Sequence, residues 1–524
     1  QVAWLTRSAL RATLVFVVAT AGSVLLTLAL LPPMEYLPTG NRNLVFGIIT
    51  PPPGYSVAEV EAIGERFQAE VSEHIREQDS APGEVPSIRR AFFVGDPNQV
   101  FCGAAAINPD RAGELAAYYR AQQAKVPGTY AFASQASLFA NRLGGGRAIE
   151  VDLSGSNLRE LVAAGLALMG AINQDIPGAQ IRPIPSLELG APELHLLPRR
   201  GETAGLAMTG AEIGQAVDAV VDGTIVGEWG KEGEPKIDVV LRGRIRGVGD
   251  ADGNEDRTSL TPAQLASVPV TTARGEVVPL GTLAQIEERL GPTQIHRIER
   301  SRAITLQVTP PDSVPLESAM ATIRERVSDL QQSEAIGAGV DVDLAGTAGK
   351  LEQTKGRFAE VLLLAVVISY LLLAALFEDF IAPFAVLVTV PMAAAGGVLG
   401  LLLVDRFLSD QPFDLMTAMG FLILIGVVVN NAILVVDGAL ARLREQADLI
   451  GAVSGAVSAR VRPIFMSTLT SLAGLVPMVV FPGSGSELYR GVGAVVLGGL
   501  ALSTVLTLYV VPCLFVLLWK LRGR

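Results

Sequence analysis

Histidine and cysteine are nearly absent from this chain, with three and two in 524 residues. His74, His195 and His296 are scattered, show no metal-ligand spacing, and read as surface residues. Cys102 lies in the long segment between the first two apolar runs and Cys513 inside the last of those runs, so the two cannot pair and no disulfide framework holds a domain together. Charge is scarce too, at 18%, and a mean hydropathy of +0.42 is too apolar for an ordinary soluble protein of 55.0 kDa. A phosphate-cradling loop is also missing. The nearest candidate, ending Gly349-Lys350, has Leu344 where its first glycine belongs, so ATP drive is unsupported.

What the chain has is apolar length. Residues 12–34, 361–377, 380–404, 415–436, 463–486 and 491–519 contain no Asp, Glu, Lys or Arg. Five of these six runs exceed the roughly 20 residues a helix needs to cross a bilayer, and the second reaches that length with 358–360 added. The first run is too long for a cleavable signal, is flanked by Arg7 and Arg11, and has no small-residue cleavage site, so it stays in the membrane. The chain starts at Gln1, about ten residues before that span, and reads as a piece of a longer polypeptide.

Residues 35–360 are too long and too polar for a membrane loop and form a domain in water. With the N-terminus cytoplasmic, the inner segments 1–11, 378–379, 437–462 and 520–524 hold nine Lys/Arg against five acids. The positive-inside rule therefore places the large domain on the outer face, and it carries the negative balance of a chain whose net charge is −11. An acidic outer domain cannot neutralise phosphates, which excludes nucleic acid as a partner.

Alternation marks strands in this domain: Ile149, Val151 and Leu153 interleave with Glu150 and Asp152, and Val340, Val342 and Leu344 with Asp341 and Asp343. A helix at 56–75 opens with Ser56 and Glu59 as a capping box. Pro127-Gly128 and Pro177-Gly178 each close a helix and start a strand, which suggests repeated geometry. The order is strand 43–50, helix 56–75, strands 88–95 and 99–106, helix 110–125, strand 129–133. This is a split βαβ, ferredoxin-like unit. A second copy runs through strand 148–155, helix 157–175 and strand 179–184, then resumes as strand 303–309, helix 314–332 and strand 340–345.

The predicted fold is thus a multi-pass α-helical membrane protein of six spans, one plus five, with a large α+β outer domain of two ferredoxin-like units and an inserted docking-type subdomain. The boundaries are 1–34 for the N-terminal segment and first span, and 35–140 for the first ferredoxin-like subdomain. The second occupies 141–189 and 281–356, the insert 190–280, and the five-helix bundle 357–524. Such units host many functions, so the fold alone decides nothing.

Residues 376–384 (Leu-Phe-Glu-Asp-Phe-Ile-Ala-Pro-Phe) followed by Val390-Pro391, residues 426–437 (Gly-Val-Val-Val-Asn-Asn-Ala-Ile-Leu-Val-Val-Asp) and residues 460–467 (Arg-Val-Arg-Pro-Ile-Phe-Met-Ser) form a specific set. With Leu31-Pro32-Pro33, Leu37-Pro38 and 504–512, the chain resembles, over its whole length, the C-terminal half of a resistance-nodulation-division efflux permease of the hydrophobe/amphiphile class. The resemblance implies a multi-pass protein of a bacterial inner membrane, with its large domain in the periplasm and its ends cytoplasmic. It implies a homotrimer that trades protons for amphiphilic small molecules, uses the proton-motive force and no cofactor, and works with a periplasmic adaptor and an outer-membrane channel. It also implies a missing N-terminal half whose acids take the proton. The residues agree: the five later spans carry no mid-membrane carboxylate, and a proton carrier in hydrocarbon needs an ionisable group. Two other readings share the topology: a protein-export accessory subunit, and a non-transporting, receptor-like or scaffold relative.

Asn430 and Asn431 lie inside the fourth span, where an unpaired amide costs several kcal/mol (about 2–7), so at least one faces a protein partner. Helix-to-helix bonding and a proton-relay role are both open on the residues alone. By resemblance, Asn430 stands where well-known drug pumps carry a lysine, and an amide cannot supply that charge. Arg460 and Ser467 match relay positions of the family, seven residues apart on one helix face, with Thr468 beside them and Arg462 reading as an interfacial anchor. Gly396 and Gly400 form GxxxG, and Gly499 with Ser503 a second small-residue pair, which indicates close helix packing. By resemblance, strands 91–103 border the substrate path, where Phe92, Phe93 and Phe101 are candidates to line a pocket or to fill the sheet core. The turn at 95–98 is short where drug pumps have a longer glycine-rich loop, and Met169, Met208 and Met320 are too dispersed in sequence to suggest a copper site.

Overall fold

The computed structural model describes all residues except 1, 39, 41, 53, 56, 97, 98, 127, 139–145, 189, 232, 234, 242, 244–260, 273, 293, 446, 447, 482, 484, 485, 523 and 524. Ser56 of the expected capping box, Pro97 and Asn98 of the 95–98 turn, and Pro127 lie outside the described residues.

Six helices are long and apolar enough to cross a membrane: Ala9–Leu30, Thr347–Phe377, Ala382–Phe407, Leu415–Glu445, Leu449–Val480 and Glu487–Arg522, below called the first to sixth spans. Each covers one of the charge-free runs, but the second, fourth and fifth continue well past them. A charge ends a membrane segment without ending a helix, because the backbone bonds of the helix are as good in water as in lipid. The third and sixth spans are the most enclosed, at 61% and 67% buried, while the first and second are almost bare at 6% and 11%.

The outer domain contains two sheets of the same plan. In the first, Val45–Thr50, Ile88–Asp96, Gln99–Ala106 and Tyr130–Gln135 are strands one to four in chain order and lie side by side as two-three-one-four. All their pairings are antiparallel. In the second, Ile149–Gly155, Gln180–Ile184, Ser301–Thr309 and Val340–Gly346 repeat that order, with the short Arg297–Ile298 added at the edge. The apolar positions of the alternating strands explain the layering. Ile149, Val151 and Leu153 are fully buried under Leu161, Leu168 and Ile172 of helix Leu158–Asp175 and Ile323 of helix Leu316–Gln332. Gly128 and Gly178 both adopt positive φ (+73° and +85°), so the two helix-to-strand turns need glycine for the same reason. Gln180 ties the sheets together, its amide oxygen accepting from the Ala133 N–H at 3.0 Å.

The second unit is interrupted by an insert whose entering and leaving strands, Ala191–Pro198 and Ala284–Gly291, form an antiparallel ladder. The second of these lies beyond residue 280. Helix Gly210–Val221 opens on a capping box, Thr209 with Glu212, and packs over a small core of Ile213, Leu265, Val270, Leu280 and Leu283.

The outer domain joins the bundle at two places. Strand Val340–Gly346 passes at Gly346 directly into the second span. The exit of the first span, residues 34–36, runs between the start of the fourth span and helix Leu316–Gln332, bonding to both.

Candidate functional site

Successive residues on a helix are turned by about 100°, so Asn430 and Asn431 cannot share an environment. Asn431 is 5% exposed, whereas Asn430 stands on the outside of the bundle. The Asn431 amide nitrogen is 3.4 Å from the Thr468 hydroxyl on the fifth span and 3.4 Å from the Thr504 hydroxyl on the sixth. The two hydroxyls are 3.2 Å apart. Thr504 spends its proton on the Leu500 carbonyl, at 2.7 Å, so between the threonines Thr468 is the donor. Both threonine oxygens then accept from the amide. Turning the amide over would set its oxygen against the lone pairs of Thr504, which fixes the orientation. Three spans are therefore joined by one polarised network in which every hydroxyl proton has one destination.

Around this inner layer lie groups that face outward. Ser467 is exposed and turns its hydroxyl back to the Ile464 carbonyl at 3.0 Å. Arg460 is half-buried beside Gly438 of the fourth span, and Arg462 is exposed. Among the described residues no hydrogen bond or ion pair joins Asn430, Arg460 and Ser467 to one another. The structure thus brings Asn431 and Thr468 together and leaves Asn430, Arg460 and Ser467 apart on and near the surface. Thr504 is absent from the sequence-based set, as is Thr507, whose buried hydroxyl has no partner among the described residues. The available signal was polarity: Ser503, Thr504 and Thr507 interrupt an otherwise apolar run.

The glycine pattern brings two spans into backbone contact. A methyl group added at Gly400 would lie 2.4 Å from the Ala494 carbonyl, and one at Gly396 2.6 Å from that of Gly498, so the third and sixth spans touch main chain to main chain. Gly499 packs under Leu424 of the fourth span and also against Gly396 and the Ala393 carbonyl of the third, and Ser503 is fully buried with its hydroxyl on Leu500. Gly498, unremarked in the sequence pattern, is the true counterpart of Gly396 and Gly400.

At the inner end, Asp379 accepts from the N–H groups of Ile381 (2.6 Å) and Ala382 (3.2 Å) and pairs with Arg522. Burial pushes its carboxyl up, but these donors and the arginine charge outweigh it and hold it below the usual carboxylate range.

In the first sheet the phenylalanines separate. Phe93 turns inward against Phe67 and Gly64. Phe92 is 40% exposed and meets Phe46 edge to face, 5.9 Å between centroids, while Phe101 is half-buried. The exposed Phe92 is therefore backed by a half-buried Phe46. A second apolar feature is a groove of about 210 Å³ between the first four spans, walled by Leu31, Phe358, Leu362, Ala393, Phe421 and Leu424. Met169 and Met320 both pack in the core of the second sheet and Met208 in that of the insert. No three His, Cys, Asp or Glu side chains gather into a metal-holding group among the described residues.

The model of the AcrB/AcrD/AcrF family matches residues 1–519. Two solved structures are similar over 98% of this chain, both X-ray crystal structures of a heavy metal efflux pump: crystal form II, at a TM-score of 0.79 and 22% identity, and crystal form I, at 0.77 and 22%. The match takes in 51% and 50% of those chains, so this chain spans about half their length. At that identity the likeness is one of fold.

Proposed function

The chain belongs to the AcrB/AcrD/AcrF family of resistance-nodulation-division permeases, and on that premise we propose that it is the C-terminal half of a proton-driven permease exporting amphiphilic small molecules. It works in the inner membrane as a trimer, with its outer domain in the periplasm, alongside an adaptor and an outer-membrane channel. The two sheets of like order are its ferredoxin-like porter units, and the insert is its docking subdomain.

One observation carries this reading: the division of the polar residues into a satisfied inner layer, Asn431 with Thr468 and Thr504, and an outward group of Asn430, Ser467 and Arg460. The inner layer fixes the geometry of three spans. The outward group offers an amide, a hydroxyl and a cation to a surface that a companion half would cover. An amide bonds a carboxyl in either protonation state without balancing its charge, so the proton-bearing acid belongs to the companion. The half-length match to solved pumps supports the same division. In the full permease, Asn430→Ala and Arg460→Ala should each raise dye accumulation in cells and abolish dye-coupled proton movement in vesicles. Unchanged transport in both variants contradicts the relay.

A metal-exporting reading is favoured by the neighbours' being heavy metal efflux pumps. The apolar groove and the partly exposed Phe46–Phe92 pair support amphiphiles instead. Cells carrying the full permease that clear a dye but accumulate copper normally bear out the amphiphile reading; the reverse pattern bears out the metal one.

A further inference from the structure

The joint between bundle and outer domain is held by segment 34–36. Toward the bundle, the Glu35 N–H donates to the Phe413 carbonyl at 2.7 Å and the Leu415 N–H to the Tyr36 carbonyl at 3.3 Å. Toward the outer domain, the Glu35 carboxylate accepts from the Leu316 N–H, at 2.8 Å, which opens helix Leu316–Gln332. It also accepts from Arg147, at 2.8 and 3.4 Å. Arg147 in turn reaches Asp312 at 2.8 Å and the Val314 carbonyl at 2.7 Å. The Met34 N–H donates to Glu317 at 2.6 Å.

Asp414 sits at the bundle side of this joint, 1% exposed. Its Oδ1 accepts from the Thr417 N–H at 2.7 Å, a helix-capping bond. Its Oδ2 is buried and has no partner among the described residues. An orphaned carboxylate oxygen is among the costliest buried groups, whereas a neutral acid in the same place is not. Burial pushes this carboxyl up and the negative Glu35 adds to the effect, against the bonds from Thr417. Two of the cations around the joint are paired: Arg147 is divided between Glu35 and Asp312, and Lys355 is paired with Glu317. Arg490 reaches the Ser409 hydroxyl, and its buried Nε has no partner among the described residues. Asp405, near the end of the third span, and Asp410, on the loop before the fourth, add only negative charge.

We propose that Asp414 is a proton-binding site: its protonated, neutral form holds the stitch between residues 34–36 and 413–415, and release of its proton loosens it. A cleft of about 560 Å³ bordered by the neighbouring Glu35, Asp410, Pro412 and Phe413 lies beside the joint and is the route proposed for the proton. Deprotonation places a second buried charge beside Glu35, whose partner Arg147 belongs to the outer domain. The bundle and the outer domain are thereby linked through one titration. The assignment is independent of whether the chain exports anything.

The test uses the full chain in lipid nanodiscs, followed by infrared difference spectroscopy and by hydrogen exchange corrected for the intrinsic pH effect. Wild type should show a protonated-carboxyl carbonyl band that fades as pH rises through the Asp414 midpoint and is missing from Asp414→Asn. Exchange at 34–36 and 413–418 should accelerate with pH by up to about tenfold per unit below the Asp414 midpoint, then level off. Asp414→Asn, which mimics the neutral acid, should stay protected at every pH. If that variant does not fold, Glu35→Gln serves, since removing the neighbouring charge should lower the pH at which the band titrates. Absence of the band in wild type, equal pH dependence in Asp414→Asn, or an unmoved titration in Glu35→Gln would each overturn the proposal.

Discussion

Asn431 on the fourth span and Thr504 on the sixth, 73 residues apart in sequence, are joined at 3.4 Å in the interior of the bundle. Replacing Asn431 with alanine removes both donors to the threonines and should cost about 1–2 kcal/mol of bundle stability. Asn430→Ala removes an exposed amide and should leave stability within about 0.5 kcal/mol of wild type. Reversible unfolding in mixed detergent micelles separates the two; equal losses would show that Asn431 does not hold the spans together.

The contact between the third and sixth spans leaves no room for a side chain. Gly400→Leu should force the helices apart and lower the midpoint of detergent unfolding by an amount matching about 1–3 kcal/mol. Gly426→Ala, where nothing lies within 4 Å, should be silent. A tolerated Gly400→Leu would contradict the close approach.

Glu35 and Arg147 form a buried pair, with side chains 8% and 9% exposed. Removing only one partner leaves the other charge stranded, so Arg147→Met should cost about 3–5 kcal/mol. Asp312, whose side chain is 91% exposed, contributes far less, and Asp312→Asn should cost below about 1 kcal/mol. Thermal unfolding followed by fluorescence of the outer domain measures the difference.

The two ends of the bundle should respond to pH with opposite signs. Asp379 is held below the usual carboxylate range, so its stabilisation is present above the unfolded value and fades as pH falls through the folded one. Asp414 is pushed up, so stability at the outer joint is greatest when it is protonated and declines as pH rises from the ordinary carboxylate range to its own midpoint. Exchange at residues 379–383 should therefore quicken at low pH and become insensitive to pH in Asp379→Asn. Matching trends at the two ends would contradict the assignment.

Much of the architecture was legible because its signals are local. Charge-free length marks the spans, and the alternation around Glu150 and Asp152 marks a strand with one face buried. Rotation about a span is not local. The membrane helices are apolar on every side, so neither periodicity nor composition distinguishes Asn430 from Asn431, and only the neighbouring helices reveal which is enclosed. Thr504 and Gly498 escaped for the same reason: each matters through contacts dozens of residues away. Asp414 carries no signal in the sequence, and its significance comes from Glu35, brought against it by the exit of the first span. The phenylalanines show the converse, since strand alternation already requires Phe92 and Phe93 to diverge.

On the proposed function, this chain supplies the fixed polar frame of a proton-coupled permease and a companion half supplies the acid. That division is read out by reconstituting the purified chain in proteoliposomes with an imposed proton gradient and an amphiphilic dye. The chain alone should move no dye uphill, and gradient-driven movement should appear once a companion half carrying an intramembrane acid is co-reconstituted. Sustained uphill movement by this chain alone would contradict it.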